Sequence, residues 1–94
     1  MFTLQPKLTI KLNVGRPHLT WIKGVSDAVD LYVDRDDGAG FVFLGRLLKN
    51  EYIDVVSLAA PKIFDEWKYK AICVIADTQV GLYSNIMSID VKKL

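Results

Sequence analysis

Residues 66 to 76 read Glu66-Trp67-Lys68-Tyr69-Lys70-Ala71-Ile72-Cys73-Val74-Ile75-Ala76, a run that alternates large or apolar residues with lysines before it becomes continuously apolar. Successive side chains of a strand point to opposite faces of a sheet. One face, which we expect to be the core face, carries Trp67, Tyr69, Ala71, Cys73 and Ile75. Lys68 and Lys70 belong to the other face and point to solvent. The pattern predicts the central strand of a β-sheet.

Further strand patterns are separated by turn signals along the rest of the chain. We expect strands at residues 7–14, 18–23, 28–35, 41–46, 51–55 and 82–91. The predicted inward residues are Leu8, Ile10, Leu12, Val14, Trp21, Val29, Leu31, Val33, Ile89 and Val91. The continuous apolar run of the strand Phe41 to Arg46 leaves open which side of it faces inward.

Residues 56–65 are interpreted as a crossover loop between two strands. Pro61 disfavours the helical conformation at Ala60, so a helix is not expected there. Leu58 and Phe64 are predicted to make the apolar contacts of this loop. The turn at 77–81 and the glycine-bearing hairpin at 36–40 complete the predicted connections.

Short strands without a helical pattern predict an all-β sandwich. The landmarks along the chain are Leu19-Thr20-Trp21, Leu31-Tyr32-Val33-Asp34-Arg35, Tyr52-Ile53-Asp54, the strand Trp67 to Ile75, and then Gly81 and Ser84. In this order and spacing, residues 6–92 resemble a fibronectin type III domain. The resemblance implies a seven-stranded antiparallel β-sandwich with Greek key connections and no disulfide, preceded by a leader at 1–5 and followed by a tail at 93–94.

The chain departs from the family pattern at two places. Family members carry a tyrosine at the start of the sixth strand, whose hydroxyl bonds back to the preceding corner. Trp67 and Tyr69 compete for this position, and Tyr69 is favoured because it has the hydroxyl. The Leu-x-Pro-Gly corner of the family is replaced by Leu58-Ala59-Ala60-Pro61-Lys62. No Arg-Gly-Asp sequence is present, so integrin binding is not carried over from the family.

Composition limits the classes of partner. The 94 residues suffice for one domain, and 12 basic and 11 acidic residues give a formal charge of +1. This balance provides no electrostatic footprint for nucleic acid, and the short apolar runs predict no membrane insertion. Met1 to Leu4 lacks the features of a signal peptide, and no Asn-x-Ser/Thr acceptor occurs, which leaves the compartment open.

No catalytic, cofactor-binding or metal-binding residues are predicted. His18 is expected at the rim and Cys73, the only cysteine, in the core, where we expect it to be inert. The segment Asp34 to Gly38 is similar to a calcium loop, but its glycine comes one place early and Gly45 stands where the bidentate glutamate should be. It is therefore interpreted as a solvated acidic hairpin.

These observations favour a non-catalytic structural or protein-interaction module, which the resemblance places within a larger bacterial protein. The alternative is a carbohydrate- or peptide-binding module. Flat, coplanar exposed tryptophans or tyrosines would favour carbohydrate, whereas an apolar patch on one sheet would favour docking. No cofactor is expected, and the predicted partners are neighbouring domains, another protein or, weakly, a second copy of the chain.

A docking face is predicted where the third and sixth strands lie side by side. In the proposed fold, Asp30, Tyr32 and Asp34 lie across from Lys68, Lys70, Ile72 and Val74. The charged residues can pair across the strands. Tyr32, Ile72 and Val74 are expected to form an exposed apolar patch of the kind that marks a docking surface.

Overall fold

The computed structural model describes residues 4–13, 16–22, 24, 26–55 and 64–92. Its strands are β1 (Lys7–Asn13), β2 (Arg16–Ile22), β3 (Ala28–Asp34), β4 (Val42–Leu47), β5 (Glu51–Ile53), β6 (Phe64–Ile75), β7 (Thr78–Val80) and β8 (Met87–Lys92). Over these residues the protein is all-β, as predicted, and it contains no helix long and apolar enough to span a membrane.

The strands form two antiparallel sheets. The smaller sheet has the order β1-β2-β5, and the larger has the order β4-β3-β6 with β7 and β8 both paired to β6. β8 pairs with the first half of β6 and β7 with its last residues, on the edge that β3 leaves open. β6 is therefore the central strand that its sequence predicted.

The core lies between the two sheets. The core residues that were predicted and are buried are Leu8, Trp21, Val29, Leu31, Val33, Trp67, Tyr69, Ala71, Cys73 and Val91, and Leu19 joins them. The prediction for Leu12 is wrong, since this side chain is 50% exposed. Leu12 lies next to the last residue of the edge strand β1, where fewer side chains cover it. Val14, also predicted inward, lies outside the described residues.

Only the second half of the predicted last strand, 82–91, is a regular strand: β8 begins at Met87, and β7 ends at Val80, before the predicted strand starts. Between β7 and β8, Ser84 bonds to Ala71 of β6 in place of a regular strand pair. Its backbone amide donates to the carbonyl of Ala71 at 2.7 Å, and its hydroxyl accepts a hydrogen bond from the amide of Ala71 at 2.9 Å. The side chain thus takes a place that the backbone of a continuous strand would hold. Because β7 lies within the predicted turn at 77–81, the described residues contain eight strands and not seven.

The structure of β4 explains why the sequence did not show which of its side chains face the core. Leu31 pairs with Gly45 and Tyr32 with Phe43, which leaves Leu44 as the extra residue of a β-bulge. Leu44 and Leu47 both pack against the core, a spacing of three that a regular strand does not allow. The bulge therefore changes which parity faces inward halfway along β4.

The central strand begins at Phe64, two residues earlier than predicted. Phe64 is exposed and belongs to β6, so the contact predicted for it in a loop is wrong. The rest of the crossover, including Leu58 and Pro61, lies outside the described residues.

The last residues of the predicted leader pack against the segment after β7. The amide of Leu82 donates to the carbonyl of Leu4 at 2.8 Å, and the side chain of Gln5 donates to the carbonyl of Tyr83 at 2.9 Å. Gly81 adopts a φ of 80°, and a Cβ there would collide with the Leu4 carbonyl oxygen. This close approach requires glycine.

A candidate docking surface on the larger sheet

The outer face of the larger sheet is built on the pairing of β3 with β6. Tyr32 lies across from Lys70 and Asp34 across from Lys68, which confirms the predicted neighbourhood of these strands. β4 lies on the other side of β3, with Phe43 across from Tyr32 and Arg46 across from Asp30. Side chains from three strands therefore meet on one face.

The predicted apolar patch is not formed by Ile72 and Val74, because these residues are only 6% and 1% exposed. Gln79 of β7 donates hydrogen bonds to Asp30 and Tyr32 of β3, and β6 lies between these two strands. The side chain of Gln79 must therefore lie across the outer face of β6. Because this side chain from a neighbouring strand covers Ile72 and Val74, the prediction that they are exposed is wrong.

Asp30 was predicted to point to solvent, but it is only 2% exposed. Nε and Nη2 of Arg46 donate to its two carboxylate oxygens at 2.8 and 3.1 Å, and Gln79 donates at 2.8 Å. Burial raises the pKa of Asp30, but the hydrogen bonds from Arg46 and Gln79 and the charge of Arg46 outweigh it, so that the pKa lies below its usual value. Asp30 lies on the outer face, as predicted, but the side chains of Arg46 and Gln79 cover it.

An aromatic cluster surrounds the ammonium group of Lys70. Nζ lies 4.1 Å from the ring centroid of Tyr83, 4.6 Å from that of Phe41 and 6.0 Å from that of Tyr32. Such distances allow cation–π attraction. Phe43 extends the cluster, with its ring centroid 5.5 Å from that of Tyr32. We call these residues, Tyr32, Phe41, Phe43, Lys70 and Tyr83, the aromatic surface.

The aromatic surface is open to solvent at its outer members. Phe43 is 54% exposed and Tyr83 38%, whereas Tyr32, Phe41 and Lys70 are half-buried. Partial burial and then the nearby Tyr32 raise the pKa of Tyr83, so its hydroxyl is neutral at neutral pH. Within the described part of the chain, no carboxylate forms an ion pair with Lys70. The surface thus combines exposed rings with a cation that has no acidic partner there.

The sequence singled out Tyr32 of this surface, but not the other aromatic residues. Phe41 and Phe43 belong to the predicted strand for which the sequence did not show the inward side. The bulge at Leu44, next to Phe43, is the reason. Tyr83 was placed within a regular strand. It reaches Lys70 from the irregular stretch between β7 and β8. The available signal was the aromatic pair Phe41-x-Phe43 next to a hairpin.

A second cluster is buried at the point where β5 ends. The hydroxyl of Tyr69 donates to Asp54 at 2.7 Å, and Arg35 lies 2.9 Å from the same carboxylate oxygen. The corner toward which this hydroxyl was predicted to bond, Leu58 to Lys62, lies outside the described residues. The Arg35 guanidinium stacks 4.4 Å above the ring of Trp67, whose Nε1 donates to Asp65. These contacts stabilise the sandwich.

His18 and Cys73, the only histidine and the only cysteine of the chain, lie in different sheets. His18 lies on the outer side of the smaller sheet across from Lys11 and Ile53, with Nε2 4.0 Å from a Glu51 carboxylate oxygen. Cys73 is buried on the central strand of the larger sheet. Over the residues that the structure describes, no group of three or more His, Cys, Asp or Glu side chains is placed to hold a metal ion.

Comparison with known proteins gives a likeness of fold. No protein-family model matches the chain, and no curated protein matches it in sequence. The chain is similar in structure to the pectate lyase PelI from Erwinia chrysanthemi, solved in complex with tetragalacturonic acid, with a TM-score of 0.63 and 13% identity. The match covers 89% of this chain and 27% of that one, so the chain spans about a quarter of the length of the lyase. At this identity the likeness concerns the fold alone.

Proposed function

We propose that the chain is a fibronectin type III-like domain that serves as a non-catalytic protein-interaction module of a larger bacterial protein. Two features support the family assignment. The hydroxyl of Tyr69 is bonded near the end of β5, and β7 and β8 follow one edge of β6 as a single interrupted strand would. With β7 and β8 taken together, the sheets have three and four strands, as the family resemblance implies.

The occurrence of this fold within a longer chain supports the proposal of a module. The matched part makes up 27% of the pectate lyase. A length of 94 residues is typical of one domain within a longer protein.

The observation that carries the proposed activity is the position of Lys70. Its ammonium is held over the rings of Tyr83 and Phe41, beside the exposed Phe43, without a carboxylate partner among the described residues. Exposed aromatic residues are typical anchors of protein interfaces, and complementary charge selects the partner. The aromatic surface therefore suits a protein segment in which an acidic side chain lies next to apolar ones.

The geometry favours this partner over carbohydrate. A sugar ring stacks on a flat aromatic platform, but Tyr32 meets Phe43 at 61° and Tyr83 at 73°, so neighbouring rings are edge to face. Both tryptophans are buried in the core. The exposed rings thus do not form the coplanar platform that the carbohydrate alternative requires.

The test is a selection from random peptides displayed on phage, followed by titration of a selected synthetic peptide. We expect selected peptides to place Asp or Glu beside apolar residues, and Lys70→Met to weaken their binding by about tenfold, a loss of about 1.4 kcal/mol. Lys11→Met, on the outer face of the smaller sheet, is the matched control and should leave the affinity unchanged.

Two results would contradict the proposal. One is equal affinity of the selected peptides for the Lys70→Met variant and the unmodified protein. The other is binding of a soluble oligosaccharide that disappears on Tyr83→Ala, which would favour the carbohydrate alternative.

A further inference from the structure

β4 is the terminal strand of the larger sheet, and its outer edge is not paired with another described strand. An unpaired edge presents backbone donors and acceptors to any extended chain that approaches it. Natural edges are usually protected by lysine, proline or a bulge. β4 has the bulge at Leu44, but its sequence, Val42-Phe43-Leu44-Gly45-Arg46-Leu47, contains neither lysine nor proline.

The side chains of this edge are apolar and partly exposed. Val42, which lies across from the buried Val33, is 43% exposed at the edge, and Phe43 projects on the outer face. Arg46, the charged residue of the strand, is already engaged by Asp30 and Asp77. The edge therefore offers an apolar strip along a free backbone.

Charges of opposite sign mark the two ends of the strip. The hairpin before β4 carries Asp36 and Asp37, and Lys49 follows β4 at the other end. Within the described residues, Lys49 forms no ion pair. A second β4 that runs antiparallel would bring each Lys49 toward the acidic hairpin of the other copy, whereas a parallel one would bring like charges together.

We propose that two copies of this chain pair through their β4 edges, antiparallel about a two-fold axis near Phe43, and so join their larger sheets into one. Such an interface is self-complementary, as two-fold symmetry requires. Phe43 of one copy lies opposite Phe43 of the other on the same face, and aromatic cross-strand pairs stabilise sheets. The proposal uses the β4 backbone and does not rest on the binding of an acidic segment by Lys70.

The interface is small, because an axis near Phe43 places only residues 42–44 of the six-residue β4 opposite β4 of the second copy. Small interfaces associate weakly, so we expect a dimer that forms with rising concentration and weakens with salt. Sedimentation equilibrium over a range of protein and salt concentrations measures both effects.

Charge reversal gives the decisive experiment. Lys49→Glu and Asp37→Lys should each weaken dimerisation by about tenfold or more, since each variant opposes two like-charged pairs in its own dimer. An equimolar mixture of the two variants should dimerise again, because both contacts of the mixed dimer join opposite charges. Lys11→Glu, on the smaller sheet, is the matched control and should leave the dimer intact.

A second variant keeps the proposal testable if Asp37→Lys disturbs the hairpin, where Asp37 accepts a hydrogen bond from the amide of Ala39. Phe43→Lys places like charges at the centre of the interface and should keep the protein monomeric. The proposal is overturned if the unmodified protein stays monomeric at about 1 mM. It is also overturned if Phe43→Lys dimerises normally, or if a mixture of two folded charge variants associates no better than either alone.

Discussion

The hydroxyl of Tyr69 donates a 2.7 Å hydrogen bond to Oδ2 of Asp54, a carboxylate with no exposed surface. The same oxygen lies 2.9 Å from Nη1 of Arg35, which supplies the opposite charge. Burial and then the hydrogen bond to Asp54 raise the pKa of Tyr69, so the hydroxyl remains a donor at neutral pH. The contact joins the central strand to the residue that directly follows β5, and thus links the two sheets.

Tyr69→Phe removes this donor without changing the shape of the ring. A hydrogen bond to a charged group contributes about 1.5 to 3 kcal/mol, and we expect a loss of that size in the free energy of unfolding. Urea denaturation followed by tryptophan fluorescence measures it. Tyr52→Phe is the control, since Tyr52 is half-buried and its hydroxyl forms no hydrogen bond with the described residues. Equal losses in the two variants would show that the bond to Asp54 contributes little.

Trp21 anchors the smaller sheet in the core and is 4% exposed. Trp21→Ala leaves a large cavity, and we expect it to lower the free energy of unfolding by about 3 to 5 kcal/mol. Thermal or urea unfolding gives this value. The neighbouring Ile22 is exposed, so Ile22→Ala should change stability by less than about 0.5 kcal/mol. A loss below about 1 kcal/mol for Trp21→Ala would contradict its role in the core.

The network around Asp30 predicts a specific response to acid. Its pKa is lower in the folded protein than in the unfolded chain, where it is about 3.9, because the hydrogen bonds from Arg46 and Gln79 outweigh burial. The ionised form therefore stabilises the fold above about pH 4, and this contribution is lost as the pH falls through the folded pKa. Asp30→Asn should cost about 1 to 3 kcal/mol at pH 7, and this cost should decrease as the pH falls through the folded pKa of Asp30.

Urea denaturation of both proteins at several pH values checks this expectation. The exposed Asp90 offers the matched control, and Asp90→Asn should stay within about 0.5 kcal/mol of the unmodified protein. The role of Asp30 is refuted if the loss from Asp30→Asn is the same at neutral and acid pH.

Substitution of Gly81 and of Gly38 by alanine distinguishes the effect of backbone strain from that of a steric clash with the Leu4 carbonyl. Both have positive φ, 80° and 86°, but a Cβ meets open space at Gly38 and the Leu4 carbonyl at Gly81. Each substitution by Ala incurs about 1 to 2 kcal/mol for the left-handed conformation. Gly81→Ala should cost more and should speed hydrogen exchange of the Leu82 amide, which bonds to Leu4. If the two variants lose the same stability, the Leu4 contact does not constrain position 81.

Cys73 is buried in the central strand, so a thiol reagent should reach it only when the protein opens. We expect slow labelling by an aromatic disulfide reagent in buffer and complete, rapid labelling in concentrated urea. The rate in buffer should rise in the destabilised Trp21→Ala variant if opening controls access. Rapid labelling of the native protein would contradict burial of the thiol.

The inward residues of the third and sixth strands were predictable because alternation is a local property of a pleated strand. Val29, Leu31 and Val33 alternate with polar or half-polar residues, and the same holds for the first half of the central strand. When one face of a sheet is buried, this pattern assigns each side chain to a face without knowledge of its neighbours. The family resemblance implied that the third and sixth strands are neighbours, but the register that places Tyr32 across from Lys70 came from the structure.

What covers an outward side chain was not predictable in this way. The sequence placed Asp30, Ile72 and Val74 on the outer face correctly, but Arg46 of β4 and Gln79 of β7 reach over this face from neighbouring strands. Long polar side chains can lie across a neighbouring strand and bury apolar residues that alternation assigns to solvent. The candidate docking surface is therefore formed by the rings around Lys70 and not by Ile72 and Val74.

The sequence by itself determined the all-β class, the central strand and the core that it shares with Trp21, because these depend on the two-residue period of a strand. Only the tertiary structure decided the bulge at Leu44, the break at Ser84 and the aromatic surface. Each of these depends on contacts between residues distant in the chain, such as Ser84 with Ala71 or Tyr83 with Lys70. Such contacts replace or redirect a local preference and leave no periodic signal in the sequence.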